Sequence, residues 1–426
     1  MKVLLLAAGR SKRMKPIEDK NFLNFVGKPL IQHQLELLHE SGLNDVVVVG
    51  GAHNMEKIKD LGAALGVNVE VVEQEDLEMG MAGAVLSAKG LLNGPVIIFS
   101  SNDVVEVSAL KAIMAAEGAD SYLLGYKVSE YFPGGYLEVS DGFVSNIVEK
   151  PGAGNEPSDL VNLVVHRHEN PAALIAALEA VKSENDDKYE VALAAMMKDG
   201  VKFKAVEYSG VWQPIKFPWH ILPVFKYFFE KAAKGVAKGA KVAEGAVING
   251  DVIIEDGAKI FDGAVINGPC YIGKNAVIAT NSLVRESNVG EGCVIGFSTE
   301  VARSYLGSDV WTHSNYIGDS VIENNVSFGA GTVTGNLRLD EANVLIDGCD
   351  SGSNKFGAVI GSNVRVGVNT SLMPGVRVGG GSFIGAGIVV AQDIPDKSFV
   401  RGSWELKISE NKQDVGENRD EFKKKL

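Results

Sequence analysis

The sequence predicts an α/β domain with a mostly parallel sheet, followed by an all-β parallel β-helix built of hexapeptide repeats. Three observations carry this. Apolar strand-like runs alternate with helix-like runs from residue 1 to about 210. Beyond residue 240 the aliphatic residues recur every six positions. The 49 glycines are concentrated in that second part, which marks a change of architecture.

In the first part, Lys2–Ala7 reads as a buried strand and Leu30–Ser41 as an amphipathic helix. Asp45–Gly50, Val67–Val72 and Pro95–Ser100 are further strands, Met55–Leu65 is a helix, and a helix opens at Gly83–Lys89. Strands apolar along their whole length lie in a parallel sheet covered on both faces. Ligands of such sheets gather at the carboxyl ends of the strands, so the loops after Leu6, Val72 and Ser100 are the places to seek chemistry.

Residues 217–237 form an apolar helical stretch whose aromatics are expected to pack against both domains. From there Val242, Ile248, Ile254, Ile260, Ile266, Ile272, Ile278 and Val284 fall six apart. After a slip of one residue the series resumes at Val289, Ile295 and Val301, and a second unbroken series runs from Ile360 to Val390. Neither a helix nor an ordinary strand has this period. Each hexad is one short strand and one turn, its aliphatic side chain pointing into a common core. The segment Leu337–Asn354 breaks the beat and reads as a loop thrown out from the helix. The domain bounds drawn from these patterns are 1–225, a helical connector at 226–239, the β-helix at 240–395 and a charged tail at 396–426.

Composition narrows the function. With 41 basic and 54 acidic residues the net charge is −13, and no basic stripe stands out, which argues against nucleic acid as a partner. Three widely spaced cysteines make neither a disulfide framework nor a metal pair and suit a reducing compartment. The opening MKVLLLAAGR has too short an apolar run for a signal peptide, and no run approaches the ~18 residues of a membrane span. The expectation is a cytoplasmic protein with no membrane partner.

The first strand runs into Leu6-Ala7-Ala8-Gly9-Arg10-Ser11-Lys12-Arg13-Met14-Lys15-Pro16. Small residues and a glycine after a buried strand let backbone N–H groups approach phosphate oxygens, and Arg13 and Lys20 add cations. This string, the following KNFLNFVGKPLIQHQLELL, Gly80-Met81-Ala82-Gly83-Ala84, Asn102-Asp103 and Val148-Glu149-Lys150-Pro151 together resemble the sugar-1-phosphate nucleotidyltransferases over residues 1–225. The resemblance implies a Rossmann-like domain that joins an NTP, UTP or dTTP foremost, to a sugar-1-phosphate and releases pyrophosphate. It implies that Leu6, Ala7, Ala8 and Gly9 line the base and ribose, and that Gln74 with Gly80, Met81 and Ala82 contacts the base. Arg13 and Lys20 would act on the triphosphate, and Asp103 would hold Mg²⁺. Gly135, Glu149, Lys150 and Asn162 would bind the sugar phosphate. One departure stands out. In Gly210-Val211-Trp212-Gln213-Pro214-Ile215-Lys216, proline occupies the place of the family's second metal ligand. Three readings stay open: Gln213 moves in, Mg²⁺ uses Asp103 with phosphate oxygens and water, or activity is lost.

In the β-helix, polar and aromatic residues interrupt the repeat at Trp311–Asp319. Acetyl transfer to an amine needs a base near neutral pH, which histidine supplies. The run of hexads resembles the left-handed β-helix of hexapeptide acyltransferases, of roughly eight three-hexad coils. THSNYIGDSVIENNVSFGAGTVTGN and SGSNKFGAVIG further resemble the acetyltransferase domain of bifunctional glucosamine-1-phosphate acetyltransferase/uridylyltransferases. That resemblance implies His313 as general base and Tyr316, Asn336 and Lys355 as sugar-phosphate ligands. It also implies Ala330 and Ala386 along an acetyl-CoA groove between subunits of a homotrimer, with acetyl-CoA as co-substrate. Ser327 and the insert between Asn336 and Lys355 depart from the family pattern. Two other readings stay open: a monofunctional enzyme with a structural or regulatory β-helix, and a non-catalytic nucleotide-sugar-binding subunit.

Overall fold

The computed structural model describes residues 1–64, 68–183, 187–403, 405, 407–412 and 423–424. The expected helix end at 65, the strand start at 67 and most of the tail lie outside the described residues.

Strand β1 (Lys2–Leu6) is central. It is followed by a two-residue hairpin, β2 (Asn24–Phe25) and β3 (Lys28–Pro29), and by helix α1 (Leu30–Glu40). β1 pairs in parallel with β4 (Asp45–Gly50) on one side and β6 (Val96–Ser100) on the other. β5 (Asn68–Glu73) extends the sheet beyond β4, after helix α2 (Met55–Ala64). Val3, Leu4, Leu5, Val46 to Val49 and Ile97 to Phe99 are fully buried, because helices cover both faces. α3 spans Gly80–Ser87, three residues earlier than the sequence suggested, and the short β7 (Asp103–Val105) leads into α4 (Val107–Ala115). The second half of the domain adds antiparallel pairing. β11 (Leu160–His168) lies against β6, against β8 (Ser121–Lys127) and against β9 (Gly135–Ser140), and β9 pairs with β10 (Phe143–Glu149). β12 (Phe203–Tyr208) runs parallel to β8, and β13 (Trp212–Pro214) antiparallel to β7. Helices α5 (Pro171–Ala180) and α6 (Lys188–Lys198) complete the layer.

After α7 (Ile221–Lys231) the chain winds into the left-handed β-helix, its strands stacked in parallel on three faces. Ile254 pairs with Ile272, eighteen residues on, Ile272 with Val289, seventeen on, and Leu306 with Ile322, sixteen on. The slip in the sequence series is therefore a coil shortened at a corner. Inward side chains such as Ile260, Ile266, Ile272, Ile278 and Val284 form one narrow core. Corners take a left-handed residue in each coil. Gly257 and Asn275 occupy one such corner on successive coils, and a side chain on Gly257 would collide with the Asn275 amide. Where the beat falters, Thr312 and Asn315 are buried but satisfied. Asn315 Nδ2 donates to the carbonyls of Gly329 and Thr332 at 2.9 and 3.0 Å.

The stack exceeds its expected bounds at both ends. Gly235–Val236 already pairs with Ile253–Ile254, so α7 ends the helical connector well before 239. Phe399–Val400 still pairs with Phe383–Ile384. The insert leaves the stack after Thr334 and carries a small hairpin, Leu345–Ile346 with Cys349–Asp350. It is more than a surface loop, because Val344, Ile346 and Phe356 are buried.

One face of the β-helix is covered by the first domain. Its outward side chains Ile253, Tyr271, Tyr305, Val321 and Val359 form a buried cluster with Met14, Ile17, Phe25, Leu30 and Val104. Phe225 and Phe229 of α7 and the insert's Val344, Ile346 and Phe356 complete it. The aromatics of the connector thus pack against both domains. Each fully buried aromatic contributes on the order of 2–3 kcal/mol, so the two halves are held as one body.

Candidate functional site

Two regions gather the candidate residues. In the first domain, a cavity of about 290 Å³ opens at the carboxyl ends of β1 and β6. Leu6, Ala8, Gly9, Arg13, Gln74, Gly80, Met81, Ala82, Glu149 and Lys150 line it. Ala7 does not. It is buried behind the loop, its carbonyl accepting from the Asn21 and Asn54 side-chain amides at 3.0 Å each. Gln74 is buried too, its Nε2 donating to the carbonyls of Asp76 and Gly80 at 2.9 Å, so it sets the turn that opens α3.

Lys20 and Asp103 do not line this cavity but stand next to Asn102, which does. Lys20 Nζ donates to Asn102 Oδ1 at 2.8 Å, and burial, with help from nearby Arg13, pulls the lysine down to about 8 against the pull of Asp103. Asp103 is buried and accepts from Trp212 Nε1 at 3.0 Å through Oδ1. Pro214 pairs directly with Asp103 across the β13–β7 ladder. Strand alternation turns Gln213 to the opposite side from Trp212 and Pro214, so Gln213 does not take over the ligand position. No group of three or more His, Cys, Asp or Glu suited to a metal occurs among the described residues. A divalent cation here would hold one protein carboxylate, Asp103, and take substrate oxygens and water otherwise, which fits the habits of Mg²⁺.

Gly135, Glu149 and Asn162 are neighbours. A Cβ on Gly135 would come within 3.0 Å of Glu149 Oε2 and 3.7 Å of Asn162 Cβ, so a side chain there would press on the Glu149 carboxylate. Lys150 Nζ pairs with Glu149 at 2.9 Å, and Asn162 Oδ1 meets His166 Nε2 at 2.9 Å. Lys188 and Tyr189, at the start of α6, also line the cavity. No motif in the sequence marked them, since α6 is distant in the chain and reads as an ordinary amphipathic helix.

In the β-helix, His313 is exposed at a corner, and its backbone N–H donates to Asn315 Oδ1. Tyr316 Oη accepts from Asn336 Nδ2 at 3.1 Å. Asn336 also meets Asp319, which is held by Arg303 through two bonds of 2.6 and 2.7 Å. The insert does not separate Asn336 from Lys355. The two lie at its neck, where Leu337 bridges Lys355 and Phe356 N donates to the Asn336 carbonyl at 3.0 Å. Ala330 and Ala386 share a corner two coils apart. Asn369 N donates to the Ala330 carbonyl at 2.9 Å and Gly387 N to the Val368 carbonyl at 2.8 Å. His313 lies on the preceding coil beside Ser314, whose carbonyl accepts from Gly331 N at 3.1 Å. His313, Ala330 and Ala386 thus follow one edge of the prism.

Residues 3–124 match the family model of the MobA-like NTP transferase domain, and residues 251–286 that of the bacterial transferase hexapeptide (six repeats). The bifunctional sugar-1-phosphate nucleotidylyltransferase/acetyltransferase of Sulfurisphaera tokodaii is 33% identical over 425 residues, covering 94% of this chain and 100% of that protein. The chain belongs to this bifunctional family. The bifunctional protein GlmU of Methanococcus maripaludis is 31% identical, with 97% of this chain and 100% of that protein covered. That of Methanocaldococcus jannaschii is 30% identical, with 95% and 98% covered. As a member of the family the chain is an enzyme, a nucleotidyltransferase joined to a hexapeptide-repeat acetyltransferase-type domain. The matches span both domains, so neither a chain limited to one activity by descent nor a purely binding subunit describes the family. No helix among the described residues is long and apolar enough to cross a membrane.

Proposed function

We propose that the first domain transfers a nucleotidyl group from UTP or dTTP to a sugar-1-phosphate, and that the β-helix N-acetylates an amino-sugar-1-phosphate with acetyl-CoA. The observation that carries the first half is the grouping of Lys20 with Asp103 and with Arg13, which lines the cavity together with Asn102, Glu149 and Lys150. The sugar-phosphate oxygen attacks the α-phosphorus, the bond to the β-phosphate breaks, and pyrophosphate leaves. Arg13 and Lys20 neutralise the triphosphate, while the backbone of Ala8 and Gly9 lets the nucleotide approach closely. Asp103 would hold Mg²⁺, which would offset the charge of the phosphates. Gly135, Glu149, Lys150 and Asn162 hold the sugar phosphate in line, so catalysis is mostly positioning.

At the β-helix, the His313 ring takes a proton from the sugar amine as the amine attacks the thioester carbonyl, and the CoA thiol departs. Tyr316, Asn336 and Lys355 bind the sugar phosphate, and Ala330 and Ala386 leave room for CoA along the edge. A homotrimer is supported by the apolar side chains this edge region exposes in the single chain, among them Phe297, Trp311 and Phe383. Work in the cytoplasm is supported by the substrates and by three unpaired cysteines, one of them exposed.

The test is a panel of four nucleoside triphosphates against glucose-, mannose- and N-acetylglucosamine-1-phosphate, read as pyrophosphate release, with CoA release from glucosamine-1-phosphate in parallel. His313→Ala should abolish CoA release and spare pyrophosphate release. Survival of acetylation would remove His313 from the mechanism, and silence across the whole panel would sink the nucleotidyl-transfer reading.

A further inference from the structure

Lys216 stands near Lys20 and near Arg13 and Lys150, the last two of which line the cavity. Its backbone is fixed on both sides. Ile215 is fully buried and its N–H donates to the Asn102 carbonyl at 2.9 Å, while Lys216 N donates to His220 Nδ1 at 3.2 Å. The side chain runs over Phe132, its Nζ 4.3 Å from the ring centroid. The ammonium also stands 3.5 Å from the point a Cβ of Gly134 would occupy, on the strip that carries Gly135.

The charges around Lys216 bracket its place. Burial lowers its pKa, Asp103 and Glu149 raise it, and Arg13 and Lys150 lower it. Asp103 and Glu149 are therefore both near it. No carboxylate among the described residues forms a salt bridge with it. Two carboxylates and two cations surround it, but no carboxylate bonds Nζ directly, so burial leaves an ammonium that an arriving anion would stabilise. Its contact with Phe132 contributes on the order of 0.5–1 kcal/mol.

We propose that Lys216 is a substrate-binding residue of the nucleotidyl-transfer site, its ammonium taking non-bridging oxygens of the sugar-1-phosphate as that group meets the nucleotide α-phosphate. This rests on the nucleotidyl-transfer reading given above. The attack brings two phosphate anions together, and Pro214 leaves the site with a single metal carboxylate. Lys216, two residues further along the same strand exit, supplies positive charge at that junction. It is assigned to the sugar phosphate because Gly134, beside its Nζ, adjoins Gly135, which faces Glu149, and the triphosphate already has Arg13 and Lys20.

The experiment uses the full chain and three forms: wild type, Lys216→Met, which keeps the stem on Phe132 without the charge, and Lys216→Arg, which keeps the charge. Binding of N-acetylglucosamine-1-phosphate and of glucose-1-phosphate is titrated calorimetrically in EDTA, and UTP binding is measured separately. The expected result is sugar-phosphate binding weakened about tenfold or more in Lys216→Met and within about threefold of wild type in Lys216→Arg, with UTP affinity little changed. In turnover, Lys216→Met should raise KM for the sugar phosphate more than for UTP. Thermal unfolding and CoA release report folding of each variant. Equal weakening of UTP and sugar phosphate, unaltered sugar-phosphate binding in Lys216→Met, or no sugar-phosphate binding by wild type would each overturn the assignment. Lack of turnover in wild type with sugar-phosphate binding intact would instead count against the nucleotidyl-transfer reading itself.

Discussion

The Glu323 carboxylate of the β-helix accepts the backbone N–H of Glu18 at 3.2 Å, joining residues 305 positions apart. Glu18 lies between Arg13 and Lys20, on the loop that carries the cations of the nucleotidyl-transfer site. The other carboxylate oxygen of Glu323 accepts from Ser362 N and Oγ at 3.0 and 3.1 Å. Glu323→Ala should therefore loosen that loop. Nucleotidyl transfer is expected to fall several-fold with CoA release unchanged, and stability to drop by about 1–3 kcal/mol as donors lose their acceptor. Paired rate assays and denaturant unfolding check this.

Burial pushes the Glu323 carboxyl up to about 7. Its folded pKa is above that of a free glutamate, so the fold favours the protonated form. The contribution to stability is then full below the unfolded value near 4.5 and is lost as pH rises through 7. Glu323→Gln stays neutral throughout. Thermal midpoints of wild type minus Glu323→Gln should decline between pH 5 and pH 8, and a flat difference would contradict the shift.

Three buried histidines act in the opposite sense. Burial lowers His33, His168 and His220 to about 4. Their folded values lie below the free imidazole, so their contribution is present above pH 6.5 and is lost as pH falls toward 4. His168 holds Ser121 Oγ at 2.9 Å within the sheet. His168→Gln should be less stable at pH 7.5 but lose less between pH 7.5 and 4.5 than wild type, measured by urea midpoints.

Tyr305 is buried between the domains, and its hydroxyl accepts the Asn24 N–H at 2.9 Å. Tyr305→Phe should cost about 1 kcal/mol for the lost acceptor, and Tyr305→Ala about 3–5 kcal/mol for the cavity as well. Calorimetry should show the loss in whichever transition includes the first domain.

Asp319 is buried, paired with Arg303 and in contact with Asn336. Asp319→Asn leaves the Arg303 charge without its partner, at a cost of about 3 kcal/mol. The acetylation KM for the amino-sugar phosphate should rise more than that for acetyl-CoA, because Asn336 and Tyr316 lose their anchor. A KM change confined to acetyl-CoA would reassign this cluster.

The β-helix was legible because its physics is one-dimensional: a six-residue beat from Val242 to Val284 has no other use than a stacked core. The parallel strands from Lys2 to Ser100 were legible because burial on both faces leaves no polar alternation. The antiparallel half beyond Ser121 was not, because strands such as Phe143–Glu149 mix buried and exposed positions without a regular alternation. Ala7 looked like a ligand residue from its place in the loop, yet its carbonyl belongs to Asn21 and Asn54. Such a turn of the backbone has no signature in residue type. The burial of Val344, Ile346 and Phe356 was equally hidden, since a break in a repeat gives no sign of where the displaced residues go. Lys216 escaped notice because its neighbours, Phe132 and Gly134, are brought to it by pairing of distant strands.

The stacking of coils sets a ruler inside the molecule. Neighbouring rungs are one strand spacing apart, ~4.8 Å. The first domain grips the rungs that carry Ile253 to Val359, and the His313 corner lies on a rung within that span. The separation of the two proposed centres is therefore quantised. Deleting a single coil there would shorten it by ~4.8 Å and at the same time pull a gripping side chain out of step. Coils added beyond Val400 would lengthen the free end and leave both centres where they are.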